Sequence, residues 1–188
     1  MFSSFTKVGA SILAATVAFT APVLAQNTMV GGAEMFPDKN IVENAVNSAD
    51  HTTLVAAVQA AGLAETLSGE GPFTVFAPTN AAFEKLPAGT VEDLLKPENK
   101  DKLAQILTCH VVAADAMSPA IGKMIADDGG AHDVPTVGGC TLSASINPEN
   151  NALQLTDENG TVATVTIPDV DQSNGVIHVI DTVMLPAM

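Results

Sequence analysis

The sequence predicts an α+β fold, and two observations predict it. Up to about residue 130, apolar side chains recur at helical spacing between cap and stop signals; beyond it, short β-prone runs alternate with turn dipeptides. Helices first and a β-meander second imply one mixed core with helices mainly in the N-terminal half. The chain is 188 residues long, 47% hydrophobic and 15% charged, which supplies enough apolar surface for a sizeable core.

The first segment reads as an address. Lys7 is the sole charge before Glu34, and it precedes the apolar run from Val8 to Phe19. Pro22 then breaks the run, and Val23-Leu24-Ala25 offers small residues for cleavage. This is the pattern of a secretory signal peptide, residues 1–25, too short and too rich in Ala and Thr for a membrane span. Gln26 follows Ala25 where a lipoprotein would need Cys. The mature protein is therefore expected to be exported, periplasmic or extracellular, with no integral membrane segment.

Residues 26–36 lack periodicity and are expected to be a flexible lead-in. Ile41, Val42, Ala45 and Val46 repeat at helical spacing behind Asn40, and Leu54, Val55, Val58 and Ala61 behind Asp50, with Gly62 as the stop. Phe73-Thr74-Val75-Phe76, framed by Pro72 and Pro78, is a strand. Thr79 caps a short helix carrying Ala82, Phe83 and Leu86, and Val91, Leu94 and Leu95 suggest another turn. Pro97 suits the first position of a helix holding Leu103, Ile106 and Leu107. Cys109 to Val112 is a short strand. Ser118-Pro119 starts a helix that Gly129-Gly130 ends. Strands are then expected over 134–137, 141–146, 152–156, 161–167 and 176–185. The firmest hairpin signal is Asn159-Gly160.

Composition removes whole classes of function. Acidic residues number 21 against 7 basic ones, all lysine, for a net charge of −14. Phosphate backbones need clustered Lys and Arg, so nucleic acid is excluded as a partner, and anionic membranes are disfavoured. The chain lacks GxSxG, GxGxxG and GxxxxGK[ST], the loops that build hydrolase elbows and phosphate cradles. Asp169-x-Asp171-x-Ser173 begins like a calcium loop, but its sixth and twelfth positions are Asn174 and Ile180; it reads as a polar turn. No cofactor, metal site or catalytic set is expected.

Cys109 and Cys140 are too far apart for a CxxC pair, and in an oxidising compartment an even count favours one structural disulfide, with two buried thiols as the alternative. Histidine is equally sparse. His178 lies in Val176-Ile177-His178-Val179-Ile180, apolar on both alternating rows, so a neutral, hydrogen-bonded core histidine is expected. If Cys109 points inward, the strand period turns His110 to the other face. His51 and His132 fall at loop or cap positions and carry no signal.

Three segments together resemble the fasciclin (FAS1) domain. Gly71-Pro72-Phe73-Thr74-Val75-Phe76-Ala77-Pro78-Thr79-Asn80-Ala81-Ala82-Phe83 is similar to its first signature. Ser173 to Asp181, followed by Val183-Met184-Leu185-Pro186, is similar to its second. Leu107-Thr108-Cys109-His110-Val111-Val112 resembles its central Tyr-His segment. The spacing suits one domain over residues 37–186. The resemblance implies a β-wedge or sandwich with helices packed along it, and adhesion through protein or glycan contacts in place of catalysis. It makes His110, Val111 and Val112 a candidate interaction segment, although Cys109 stands at the Tyr position. Thr79, Asn80, Asn174 and His178 become fold-defining polar residues, with His178 expected near the first signature in a buried polar link. A small-molecule carrier using the apolar interior, or a structural envelope protein, are the alternative functions.

Overall fold

The computed structural model describes residues 27–87 and 89–187; the expected signal peptide lies outside them. A hairpin of β1 (Met29–Val30) and β2 (Ala33–Glu34) is followed by α1 (Ile41–Ala45), α2 (Thr52–Ala61) and α3 (Ala64–Ser68). Then come β3 (Phe73–Pro78), α4 (Asn80–Glu84), α5 (Thr90–Leu94), α6 (Lys100–Thr108), β4 (Val111–Val112) and α7 (Ser118–Asp127). The C-terminal half is β5 (Ala131–Pro135), β6 (Thr141–Ile146), β7 (Leu153–Thr156), β8 (Val162–Gln172) and β9 (Gly175–Ile180). The α+β expectation stands.

Seven strands form one mixed sheet in the order β4-β3-β9-β8-β7-β6-β5. Only β3 and β9 run parallel, pairing Phe73 with Gly175 through Pro78 with Ile180. The two signature segments are therefore neighbouring central strands. The sheet's ends also approach each other: Val137 N–H donates to the Val111 carbonyl at 2.8 Å, and Gly138 N–H to that of Thr108 at 3.0 Å. The result is nearly a barrel.

Because β9 is central, Val176 to Ile180 are all buried, as two-sided coverage demands. One face packs Ile177 and Val179 against Leu54, Val58, Leu103 and Leu107 from the helices. The other packs Ile180 and Phe76 against Ile121, Leu142, Leu155 and Met184. Two glycines make the β3–β9 entrance possible. A Cβ on Gly71 would stand 2.0 Å from the Asn174 carbonyl oxygen, and one on Gly175 would stand 1.9 Å from that of Phe73. No side chain fits either place.

Several expectations need correction. The lead-in of 26–36 holds a hairpin whose Val30 and adjoining Met35 are buried at 4% and 3% exposure. Two apolar residues with no period gave no sign of it. Asp50 does not cap α2, which follows a 3-10 turn at Ala49–His51. Pro97 opens a separate 3-10 turn, Pro97–Asn99, ahead of α6. Cys109 is the C-cap of α6, so the strand is reduced to Val111–Val112. The last strand stops at Ile180: Asp181 N–H still bonds the Thr164 carbonyl, but the Asp181 carboxylate takes the Thr164 N–H, and His110 and Asp157 accept from the Met184 and Leu185 N–H groups. Asp169 and Asp171 belong to β8, not to a turn. Pro168 and Asp169 fall within the second of two register shifts, where pairing lapses between Ile167 and Val170, and Asp169 adopts φ 55°.

Candidate functional site

The fold-signature residues act as braces between elements. Thr79 Oγ1 accepts from Ala82 N–H at 3.3 Å and caps α4. Asn80 reaches across to α2, which lacks a side-chain cap of its own. Its Oδ1 accepts from Thr53 N–H at 3.0 Å, and its Nδ2 donates to the Ala49 carbonyl at 2.9 Å. Asn174 does the same at the opposite end: Oδ1 accepts from Ile41 N–H at 3.0 Å, while Nδ2 donates to the carbonyls of Leu67 at 2.8 Å and Gly69 at 2.9 Å. One amide thus holds the start of α1 and the end of α3 against the β8–β9 turn. Asn174→Ala leaves these groups unpaired, so its thermal midpoint should fall with a loss of about 2 kcal/mol; a midpoint equal to wild type would remove the brace.

His178 is fully buried, with its ring stacked on Phe76 at 5.6 Å between centroids. Its Nδ1 accepts from Asp169 N–H at 3.1 Å, and its Nε2–H donates to the Ala116 carbonyl at 2.8 Å, which fixes the neutral tautomer. Burial lowers its pKa, opposed by the Ala116 bond and by Asp169 and Asp115. The expected link to the first signature exists, but it runs through a loop. Thr74 Oγ1 donates to the Ala114 carbonyl at 2.6 Å and accepts from Ala116 N–H at 2.9 Å, and Ala116 then meets His178.

Ser118, Asp169 and His178 come together without the connectivity of a catalytic triad. The Ser118 hydroxyl donates to the Asp169 carboxylate, which also accepts from Ser118 N–H at 2.6 Å. The imidazole contacts neither side chain: both of its nitrogens are spent on backbone groups. No imidazole reaches the hydroxyl, and the carboxylate that accepts from it is also bonded to the Ser118 N–H, so Asp169 caps the start of α7.

His110 does not turn outward. Nδ1–H donates to the Ile106 carbonyl at 2.8 Å, and Nε2 accepts from Met184 N–H at 3.0 Å. With its ring enclosed, desolvation pushes the pKa down to about 4, against the opposing pull of the Ile106 bond and Asp157. Asp157 Oδ2 accepts from Leu185 N–H at 2.9 Å, and Asn159 Nδ2 donates to the Leu185 carbonyl at 2.9 Å. His110 and the β7–β8 turn therefore strap down the C-terminal segment. Val111 and Val112 are also buried, so the candidate interaction segment presents no side chain on the outer surface. The geometric reason is the helix end: the chain leaves α6 inside the core, and strand alternation does not yet apply at His110. Cys109 and Cys140 are joined by a disulfide across 31 residues.

Sequence reasoning passed over His51. It is 2% exposed, with Nδ1 at 2.8 Å from Ser48 Oγ, while its Nε2 is buried without a hydrogen-bond partner. Desolvation lowers its pKa, partly offset by the nearby Ala77 backbone and Asp50. The i, i+3 spacing of Ser48 and His51 was the available signal. Asn44 and Gln172, a buried amide pair joined across 128 residues, had none. Among the described residues no cluster of three or more His, Cys, Asp or Glu is placed to hold a metal, and no helix is long and apolar enough to cross a membrane.

A mixed, nearly closed sheet braced by signature amides defines the class as a FAS1-like domain. The Fasciclin domain profile matches residues 49–186, and the chain belongs to that family. It is similar to protein sll1483 of Synechocystis, with 52% identity over 148 residues, covering 79% of this chain and 74% of that protein. Cell surface glycolipoprotein MPB83 of Mycobacterium bovis is 33% identical over 172 residues, 92% of this chain and 60% of that one. A FAS1 domain pair from the insect cell adhesion molecule fasciclin I shares the fold, with TM-score 0.68 and 20% identity over 78% of this chain and 51% of the other.

Proposed function

We propose that this protein is an exported interaction module that recognises a protein or glycan partner at the cell surface or in the periplasm. The observation that carries this reading is where its chemistry is spent. Three of the four histidines are buried, and the signature side chains Thr79, Asn80, Asn174 and His178 bond other parts of the same fold. What faces solvent is charge: Asp157 is the one buried carboxylate among the described residues. Lys85, Lys96 and Lys123 are already paired with Asp181, Asp93 and Asp127. An acidic surface favours a partner with basic groups and disfavours sulfated glycans. Family membership and the cell-surface naming of MPB83 support the location.

Immobilised mature protein should capture a partner from the native envelope, and the captured fraction should fall steeply as salt rises from about 0.05 to about 0.5 M. Capture that ignores salt would contradict an acidic recognition surface.

A further inference from the structure

The two ends of the sheet meet at Val111 and Val137 but do not close fully. Beside that contact lies a groove of about 370 Å³, walled by Phe76, Val112, Ala116, Ile121, Met124 and Val134. The volume falls within the roughly 300–1,000 Å³ of small-molecule sites. We propose that this groove binds one small, neutral, apolar molecule, of the size of a substituted bicyclic aromatic. The proposal is independent of the interaction reading, because its site is internal to the sheet's seam.

Three observations select that occupant. First, an extended peptide is disfavoured, since the Val111 carbonyl on the outer edge of β4 already accepts from Val137 N–H at 2.8 Å. The ladder that strand addition needs is occupied there. Second, the lining contains no Asp, Glu or Lys. Its one ionisable side chain, His132, is bonded through Nδ1 to Asp128 Oδ2. No free cation waits for a carboxylate, and a net charge of −14 repels anions further. A cation would likewise find no counter-charge on the walls. Third, every lining residue except Phe76 lies between Cys109 and Cys140. The disulfide closes the loop that builds the walls, so the staple holds a groove in shape as well as a fold. Preorganised walls are what small-ligand affinity requires.

The test uses N-phenyl-1-naphthylamine, a neutral fluorescent probe, and its sulfonated relative 1-anilinonaphthalene-8-sulfonate, on the purified mature protein. The neutral probe should give a saturable one-site fluorescence rise, and the sulfonate should bind at least tenfold more weakly. Ala116→Phe, which fills the groove, should abolish the rise. Val137→Ser, at a rim position 52% exposed, should weaken binding about fivefold with an unchanged thermal midpoint. An unsaturable rise, or equal titrations by both probes, would overturn the proposal. So would a Val137→Ser protein that binds like wild type.

Discussion

Acidification from about pH 7 to about pH 4.5 should cost this protein about 3 kcal/mol of stability, with His110 as the principal cause. In the fold the ring is neutral and enclosed, with its pKa pushed down to about 4. In the unfolded chain it takes up a proton near its ordinary 6.5. Above that value the two states bind equally few protons and stability is full. Below it the unfolded state binds more, so stability falls until the folded ring titrates as well. Each pKa unit between the two values corresponds to about 1.4 kcal/mol. His51 and His178, lowered by burial in the same direction, add to the loss. Asp181 acts later: its pKa is held below 3.8 despite desolvation, by the Thr164 amide first, then by the Thr182 hydroxyl and Lys85. Its stabilisation is therefore lost only as pH falls below the ordinary carboxylate value. His110→Gln can donate to Ile106 and accept from Met184 without titrating. Urea unfolding across this range should show a shallower acid slope for the variant, at a cost of about 1 kcal/mol at neutral pH. An undiminished slope would reassign the effect.

Cys109→Ser/Cys140→Ser should lose about 4 kcal/mol, on the chain-entropy estimate for a loop of 31 residues. For a domain of this size that corresponds to a fall of about 10 °C in Tm. The bridge ties the end of α6 to the start of β6, beside the Gly138–Thr108 hydrogen bond that draws the sheet's ends together. Without it, the excursion through β4, α7 and β5 is held by hydrogen bonds and packing alone. Calorimetry of wild type and the double variant checks the size of the effect, and a non-reducing mass two hydrogens below the dithiol form checks the bond. Equal Tm values would show that packing alone closes the seam.

Much of this architecture was legible because it was local. Asn40 caps α1 in a capping box with Glu43, and Gly62 stops α2 in the left-handed conformation, as one-dimensional signals require. The strand at Phe73–Phe76 and the buried, bonded state of His178 followed from framing prolines and from two apolar rows, although the strand runs on through Pro78. What escaped depends on distant partners. Asn80 and Asn174 were recognisable as signature residues, yet nothing nearby told that each braces a helix elsewhere in the chain. The strand rule turned His110 to the face opposite Cys109 because it assumed a strand where α6 was still ending. The cap on α7 comes from Asp169, 51 residues away, and no spacing rule spans that distance.

The signature amides and the buried histidines are spent on holding the fold together, which leaves the proposed recognition to the outer surface. Envelope capture at neutral pH, run side by side with wild type and folded His110→Gln, separates a structural from a recognition role for this side chain. Equal recovery of the same salt-sensitive partner is the predicted result. Selective loss of that partner by a variant that is still fully folded at the capture temperature would place His110 in the recognition site and contradict its structural role.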